Sequence, residues 1–190
     1  MKHLEGEGFS PRLSPRQRSQ RLHQQITKDA WLDFVERTVG TLDIGPGTRV
    51  FEVGCGDGAF LFPLAENGYI VGGLDRSPEL IRAAKKAIPS GQFMVGEASA
   101  LDPDEGWDVV LACGVFQSFP DLDYARGVLA RMAAKATHAI AVLDLPESNY
   151  DRGWMMRALA EIDVKAIQIE DQKVDGYAVA PFRFNVFARL

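Results

Sequence analysis

Apolar positions along this chain change period once, near residue 45. Before it, Leu22, Ile26, Ala30/Trp31, Phe34/Val35 and Val39 recur every three to five residues and line one side of a helix. That helix is expected from about Gln17, after an extended arm over 1–16 marked by Gly6, Gly8, Pro11 and Pro15. Gly40 and the turn Gly45-Pro46-Gly47 are expected to end it. Beyond the turn, short apolar runs read as strands at 49–53, 69–74, 93–95, 108–112, 139–143, 164–169 and 182–188. Helical stretches at 59–66, 78–87, 123–134 and 153–159 separate most of them, with Ser77 as an N-cap and Pro78 at a first helical position.

Continuous apolar strands that alternate with helices predict a parallel sheet covered on both faces. Residues 171–181 hold Gly176, Tyr177 and Pro181 but no crossover helix, so a hairpin-like reversal should make the last strand antiparallel. The expected fold is therefore a doubly wound α/β domain. Its seven-stranded sheet is mostly parallel with an antiparallel last strand, and helices cover both faces. Residues 1–44 are expected to form an arm and lid helix, and 45–190 a single globular domain.

Composition narrows the partners. The chain has 190 residues, 46% of them hydrophobic, which suits one domain with a proper core. Cys55 and Cys113 give no disulfide framework and fit a cytoplasmic protein. The N-terminus lacks the apolar core of a signal peptide, and no run is long enough to span a bilayer. Residues 1–28 carry six cations against two acids, a net of +4 that leaves −9 on the rest of a chain whose total is −5. An acidic body argues against a nucleic-acid groove, which needs a basic face. Three scattered histidines and two cysteines lack metal-ligand spacing, so no metal is expected.

The chemistry concentrates in Phe51-Glu52-Val53-Gly54-Cys55-Gly56-Asp57-Gly58-Ala59, with Asp75 closing the next apolar run. A strand, a glycine turn and a helix start, followed by an acid on the next strand end, cradle a nucleoside-containing cofactor. Gly54-x-Gly56-x-x-Ala59 also satisfies the dinucleotide fingerprint, so the loop alone leaves a nicotinamide cofactor open. Three observations weigh against it. Glu52 stands where nicotinamide folds usually keep a small residue, about 48 residues precede the first strand, and no Tyr-x-x-x-Lys pair exists.

The E-x-G-x-G-x-G run resembles motif I of the class I S-adenosylmethionine methyltransferases, and the resemblance extends over about residues 48–145. It implies S-adenosylmethionine as cofactor, leaving as S-adenosylhomocysteine. It implies cofactor-binding roles for Gly54, Cys55, Gly56 and Gly58 in the loop and for Glu52 toward the methionine amino group. Asp75 would hold the ribose hydroxyls and Arg76 would stack along the adenine. Glu97 and Ala98, in Gly96-Glu97-Ala98-Ser99, match a segment whose acid accepts from the adenine amino group. Cys113, in Cys113-Gly114-Val115-Phe116, matches the stretch beneath the methionine chain.

The implied reaction is methyl transfer to a small-molecule acceptor, with oxygen preferred and nitrogen or carbon as alternatives. Enzyme catalysis would supply mainly alignment. Candidate catalytic bases are His23 on the lid helix, Tyr150 after the fifth strand and Tyr177 before the last. Phe116 to Phe119, Leu145 to Tyr150, and Tyr177 are the expected pocket wall, with a homodimer as one way to cover the site. No Asn/Asp-Pro-Pro-Tyr/Phe motif follows the fourth strand, which disfavours that style of base methylation. Two rivals remain: a methyltransferase-fold cyclase, decarboxylase or non-catalytic partner, and an NAD-linked reductase.

Overall fold

The computed structural model describes residues 26–104, 106–177 and 180–190. A seven-stranded sheet in the order β3-β2-β1-β4-β5-β7-β6 forms its centre. The strands are β1 (Arg49–Val53), β2 (Ile70–Asp75), β3 (Gln92–Val95), β4 (Trp107–Cys113), β5 (Ala136–Pro146), β6 (Ala166–Asp171) and β7 (Arg183–Arg189). The helices are α1 (Lys28–Leu42), α2 (Leu61–Glu66), α3 (Pro78–Ala87), α4 (Leu122–Lys135) and α5 (Arg152–Leu159). Strands β1 to β5 pair in parallel, and β7 runs antiparallel between β5 and β6. This is the expected doubly wound sheet with an antiparallel last strand.

Each face of the sheet buries its own apolar layer. Phe51, Val53, Trp107 and Val110 pack with Leu129 and Met132 of α4 and Trp154 and Met155 of α5. Val50, Val109 and Leu111 pack on the other side with Phe34, Val35 and Leu42 of α1, Leu64 of α2, and Ile81 and Ala84 of α3. Strands buried on both faces need apolar residues in succession, which is why periodicity located them.

Local signals explain most boundaries. The Ser77 hydroxyl accepts from Leu80 N–H and caps α3, with Pro78 at its first turn. Both ends of α1 differ from the sequence expectation. Thr27 has extended backbone angles and its hydroxyl accepts from Ala30 N–H, so α1 begins at Lys28 rather than continuing unbroken from Gln17. Residues 17–25, and the arm over 1–16, lie outside the described residues. At its other end α1 runs through Gly40 to Leu42 and stops at Asp43 in the left-handed conformation, whose N–H donates to the Gly40 carbonyl.

Strand β5 is longer than its apolar run because partners on both sides extend it. Its register with β7 shifts between Val142 and Leu145, where Asp144 adopts φ 60°. That bulge sits at the carboxyl edge of the sheet, and bulges there re-aim side chains toward sites. Among the described residues, no helix is long and apolar enough to cross a membrane.

Candidate active site

The site lies along the carboxyl edge of β1, β2, β4 and β5, where open α/β sheets bind ligands. Its first part is the loop after β1. Gly54 and Cys55 N–H groups both donate to the Leu74 carbonyl, at 2.8 and 3.0 Å, which pulls the loop onto β2. Gly54 has φ 74°, and a Cβ there would meet Val115 Cγ2 at 2.5 Å. Only glycine allows that crossing of the β1 and β4 loops. Asp75 ties the arrangement together: Oδ2 accepts from Gly56 N–H at 3.0 Å and Oδ1 from Ser77 N–H at 2.8 Å. Each carboxylate oxygen retains a further lone pair, and Asp75 lines the larger cavity of the site.

Glu52 is 3% exposed, and its Oε2 has no hydrogen-bond partner among the described residues. Burial, with help from Asp75 and Asp57, pushes its carboxyl well above the usual glutamate range. A buried carboxylate oxygen without a donor is costly in isolation, a cost that a cationic ligand would remove. The residues present thus fit a zwitterionic amino-acid tail at Glu52 and a ribose at Asp75.

Two cavities share this edge. The larger, about 1070 Å³, runs from Asp75, Arg76, Glu97 and Ala98 past Gly54, Cys113 and Gly114 to Tyr177 and Arg183. Single small-molecule sites occupy roughly 300–1,000 Å³, so a cofactor and an acceptor have room side by side. The smaller, about 180 Å³, lies between Glu52, Cys55 and Gly56 on one side and Ile26, Trp31 and Phe34 on the other. Helix α1 is fastened above it: Trp31 Nε1 donates to the Ala59 carbonyl at 3.1 Å, and its ring meets Phe60 edge-on.

The expected cofactor residues therefore line the smaller cavity or the wall of the larger one, with one exception. Arg76 and Glu97 are exposed at the rim of the larger, and Ala98 is buried against it. Cys55 and Cys113 line the smaller cavity, their thiols pushed up chiefly by burial. Gly58 is the exception. It lines neither cavity, and a Cβ on it would meet Ile88 of the turn after α3 at 3.2 Å, so it serves the tight packing of the loop.

The expected bases separate. His23 lies outside the described residues. Tyr150 is 3% exposed, lines neither cavity, and donates its hydroxyl to the Phe116 carbonyl at 2.8 Å, while burial pushes its phenol up to about 12. It is a core residue, because the chain after β5 turns back beneath the β4 loop. Phe116 and Leu145, two expected wall residues, are buried in that same core. Tyr177 does line both cavities, and its hydroxyl donates to Asp144 Oδ2 at 3.2 Å. Burial, then Asp144, hold that phenol well above its ordinary range, which opposes its acting as a free base.

A buried polar network not expected from the sequence completes the site. Arg183 Nε donates to Asp144 Oδ1 at 2.5 Å, and an Nη2 hydrogen bond joins Arg183 to Gln117 Oε1. Gln117 Nε2 in turn donates to the Gly114 carbonyl at 2.9 Å. Gln172 Nε2 approaches Asp144 Oδ1 at 3.5 Å, and Asn185 Oδ1 accepts from Asp144 N–H at 2.9 Å. Burial pushes the Asp144 carboxyl up against the opposing pull of Arg183. Two signals in the sequence point to this network. Asp144 is an acid at the carboxyl end of a strand, and Arg183 and Asn185 share one face of an otherwise apolar strand.

Comparison with known proteins agrees with this geometry. Residues 51–138 match the methyltransferase domain family. Two curated relatives are ubiquinone biosynthesis O-methyltransferases. The one from Rhodopseudomonas palustris strain TIE-1 is 31% identical over 175 residues, and that from Bradyrhizobium diazoefficiens 29% over 170. Each match covers 86% of this chain, and the chain spans only 65% of the relatives' length. Among solved structures, an amino pentose methyltransferase from Micromonospora echinaspora with S-adenosylmethionine bound superposes with a TM-score of 0.71 at 15% identity, covering 99% of this chain and 100% of its own. The magnesium protoporphyrin IX methyltransferase of Synechocystis, also with S-adenosylmethionine, gives 0.67 at 20% identity, covering 97% and 86%. Residues 51–138 thus match a methyltransferase domain, and the chain has the fold of the methyltransferases solved with S-adenosylmethionine bound.

Proposed function

We propose that this protein binds S-adenosylmethionine and transfers its methyl group to an oxygen of a small-molecule acceptor. The observation that carries the reading is the unpartnered, buried Glu52 oxygen beside the glycine loop, which a ligand ammonium would satisfy. Asp75 would accept from the ribose hydroxyls, and Glu97, at the far end of the larger cavity, would face the adenine amino group. When bound, S-adenosylmethionine supplies an electrophilic methyl: an acceptor oxygen bonds to its carbon as the C–S bond breaks, the electron pair staying on sulfur in S-adenosylhomocysteine. Oxygen is preferred because the curated relatives named above are O-methyltransferases.

The protein's share of the work is alignment and exclusion of water. Residues 1–44 act in this reading as an arm and lid, supported by Ile26, Trp31 and Phe34 facing Glu52 across the smaller cavity. The test is calorimetric titration with S-adenosylmethionine, S-adenosylhomocysteine and NADH. Micromolar binding of both adenosyl ligands without NADH is expected. Failure of both to bind would overturn the reading, and NADH binding in their place would favour a reductase.

A further inference from the structure

The cavity's acceptor end poses a chemical question. Transfer to a hydroxyl oxygen requires that its proton leave, and every oxygen base lining that end is already engaged. Tyr177 donates to Asp144, and Asp144 accepts from both Tyr177 and Arg183. Gln117 binds Gly114 and Arg183, and no histidine among the described residues lines either cavity. The group with capacity to spare is a cation. Arg183 lines the larger cavity, and its Nη1 has no hydrogen-bond partner among the described residues.

The guanidinium is also fixed in orientation. Asp144 holds Nε, Gln117 holds Nη2, and the Tyr177 ring stands 5.9 Å from its central carbon. Two edges of a planar fork are thereby pinned, and the remaining N–H groups are pre-organised for an incoming acceptor of hydrogen bonds. Its place matters as well. Gln117 links Arg183 to Gly114, and Gly114 belongs to the walls of both cavities, between the Glu52 end and the open end. An oxyanion on Arg183 would lie beside the stretch Cys113-Gly114, where the two cavities meet. The bulge that puts Asp144 at φ 60° is what brings its carboxylate to Arg183. A non-glycine residue in that conformation is strained and persists where surrounding structure holds it.

We propose that Arg183 is the acceptor-binding residue, and that the acceptor carries an acidic hydroxyl on an unsaturated carbon which enters the site as its oxyanion. The O–H bond breaks before transfer, its electron pair stays on oxygen, and the proton leaves to solvent. Arg183 stabilises the anion so formed, and no protein base takes the proton. Asp144 and Gln117 are positioning residues that hold the fork. This proposal rests on the methyl-transfer reading and gives it a substrate class.

The test uses a chromophore and needs no turnover. Protein saturated with S-adenosylhomocysteine is titrated with 4-nitrophenol across pH, and the visible band of the nitrophenolate reports its ionisation. The bound phenol should ionise about one pH unit lower than the free one, an approximately tenfold preference for the anion. Arg183→Gln should abolish the shift and Arg183→Lys, which keeps charge but not the fork, should retain part of it. Asp144→Asn should preserve or enlarge the shift, since asparagine tolerates positive φ, keeps one acceptor oxygen for Arg183 Nε and removes the competing anion. Should Arg183→Gln fail to fold, the other two variants decide. The proposal fails if nitrophenol does not bind in the millimolar range, or binds with unshifted or raised ionisation. It also fails if the shift survives Arg183→Gln or vanishes in Asp144→Asn. Lack of S-adenosylhomocysteine binding would instead sink the methyl-transfer reading and this proposal with it.

Discussion

The carboxyl edge of the sheet is built by two different methods. At β1 and β2 the edge is made of backbone amides and carboxylates joined over short stretches of chain, such as Asp75 to Gly56, nineteen residues apart. At β4, β5 and β7 it is made of side chains that bind one another over long stretches: Arg183 to Asp144 spans 39 residues and Arg183 to Gln117 spans 66. The first half presents an orphaned acid, Glu52, and the second a cation largely enclosed by its own partners. A half made of backbone and glycines accommodates one invariant ligand. A half made of interlocked side chains can be rewritten by substitution, which is what a site for varied acceptors requires. Electrostatics differ in the same way. The Glu52 carboxyl gains nothing from the described residues that offsets its burial, whereas the Asp144 carboxyl has Arg183, Gln172 and Tyr177 pulling against burial.

Breaking the first half should have the largest effect. Asp75→Ala removes a ribose acceptor and also frees the Gly56 and Ser77 amides it holds. Two hydrogen bonds to a charged group, at about 1.5–3 kcal/mol each, correspond to a loss of S-adenosylhomocysteine affinity of roughly 100-fold or more. Calorimetry measures it directly, and a loss under about tenfold would show that the carboxylate does not organise this half.

Glu52→Gln should have a smaller and two-sided effect. A folded carboxyl whose pKa is raised binds more protons than the unfolded chain, between the unfolded value of about 4.3 and the higher folded one. The contribution of Glu52 to stability is thus fully present below the unfolded value and is lost as pH rises through that window. The glutamine variant carries no such charge, so at pH 7 the ligand-free protein should melt higher than wild type. Adenosyl ligands should bind it about tenfold more weakly or worse, for want of a charge-assisted bond. Wild-type binding should also release protons, seen as a binding enthalpy that depends on the buffer. Equal melting temperatures with unchanged affinity would mean that Glu52 does not face the ligand ammonium.

The same division explains what could be read from sequence. Strand β1 and helix α3 were legible to the residue, because continuous apolar runs and a Ser-Pro cap are local signals. The chain reversal before β7 was legible from linker length alone, since eleven residues without a helix do not make a parallel crossover. Glu52, Gly54 and Asp75 carried a spacing tied to one loop geometry. Asp144 and Arg183 carried none: Asp144 is a lone charge in a mostly apolar strand, Arg183 opens another, and only the pairing of β5 with β7 makes them neighbours. Gly58 shows the converse. Its spacing fits the motif, yet its contacts are with α3 and the turn after it, because a tight loop needs glycine for packing as much as for ligand approach.

Tyr150 offers the smallest and sharpest test, since sequence puts it at the ligand edge and its contacts put it in the core. Its hydroxyl donates to the carbonyl of Phe116, the residue preceding Gln117, and its ring packs edge-on against Phe116 and tilted against Trp154. Tyr150→Phe keeps the ring and removes one of two donors to the Phe116 carbonyl, which retains the Phe119 N–H. The cost should be about 1–2 kcal/mol, a fall in melting temperature of roughly 2–8 °C. The adenosyl half should not respond, so S-adenosylhomocysteine affinity should stay within about twofold, well inside the effect of one hydrogen bond. A catalytic tyrosine would give the opposite pattern, with unchanged melting and turnover lost by the 10²–10⁴-fold typical of a missing general base. Because the donor supports the turn that carries Gln117, any loss of turnover should be slight and independent of pH. The acceptor half is thereby reached through its foundation rather than its chemistry.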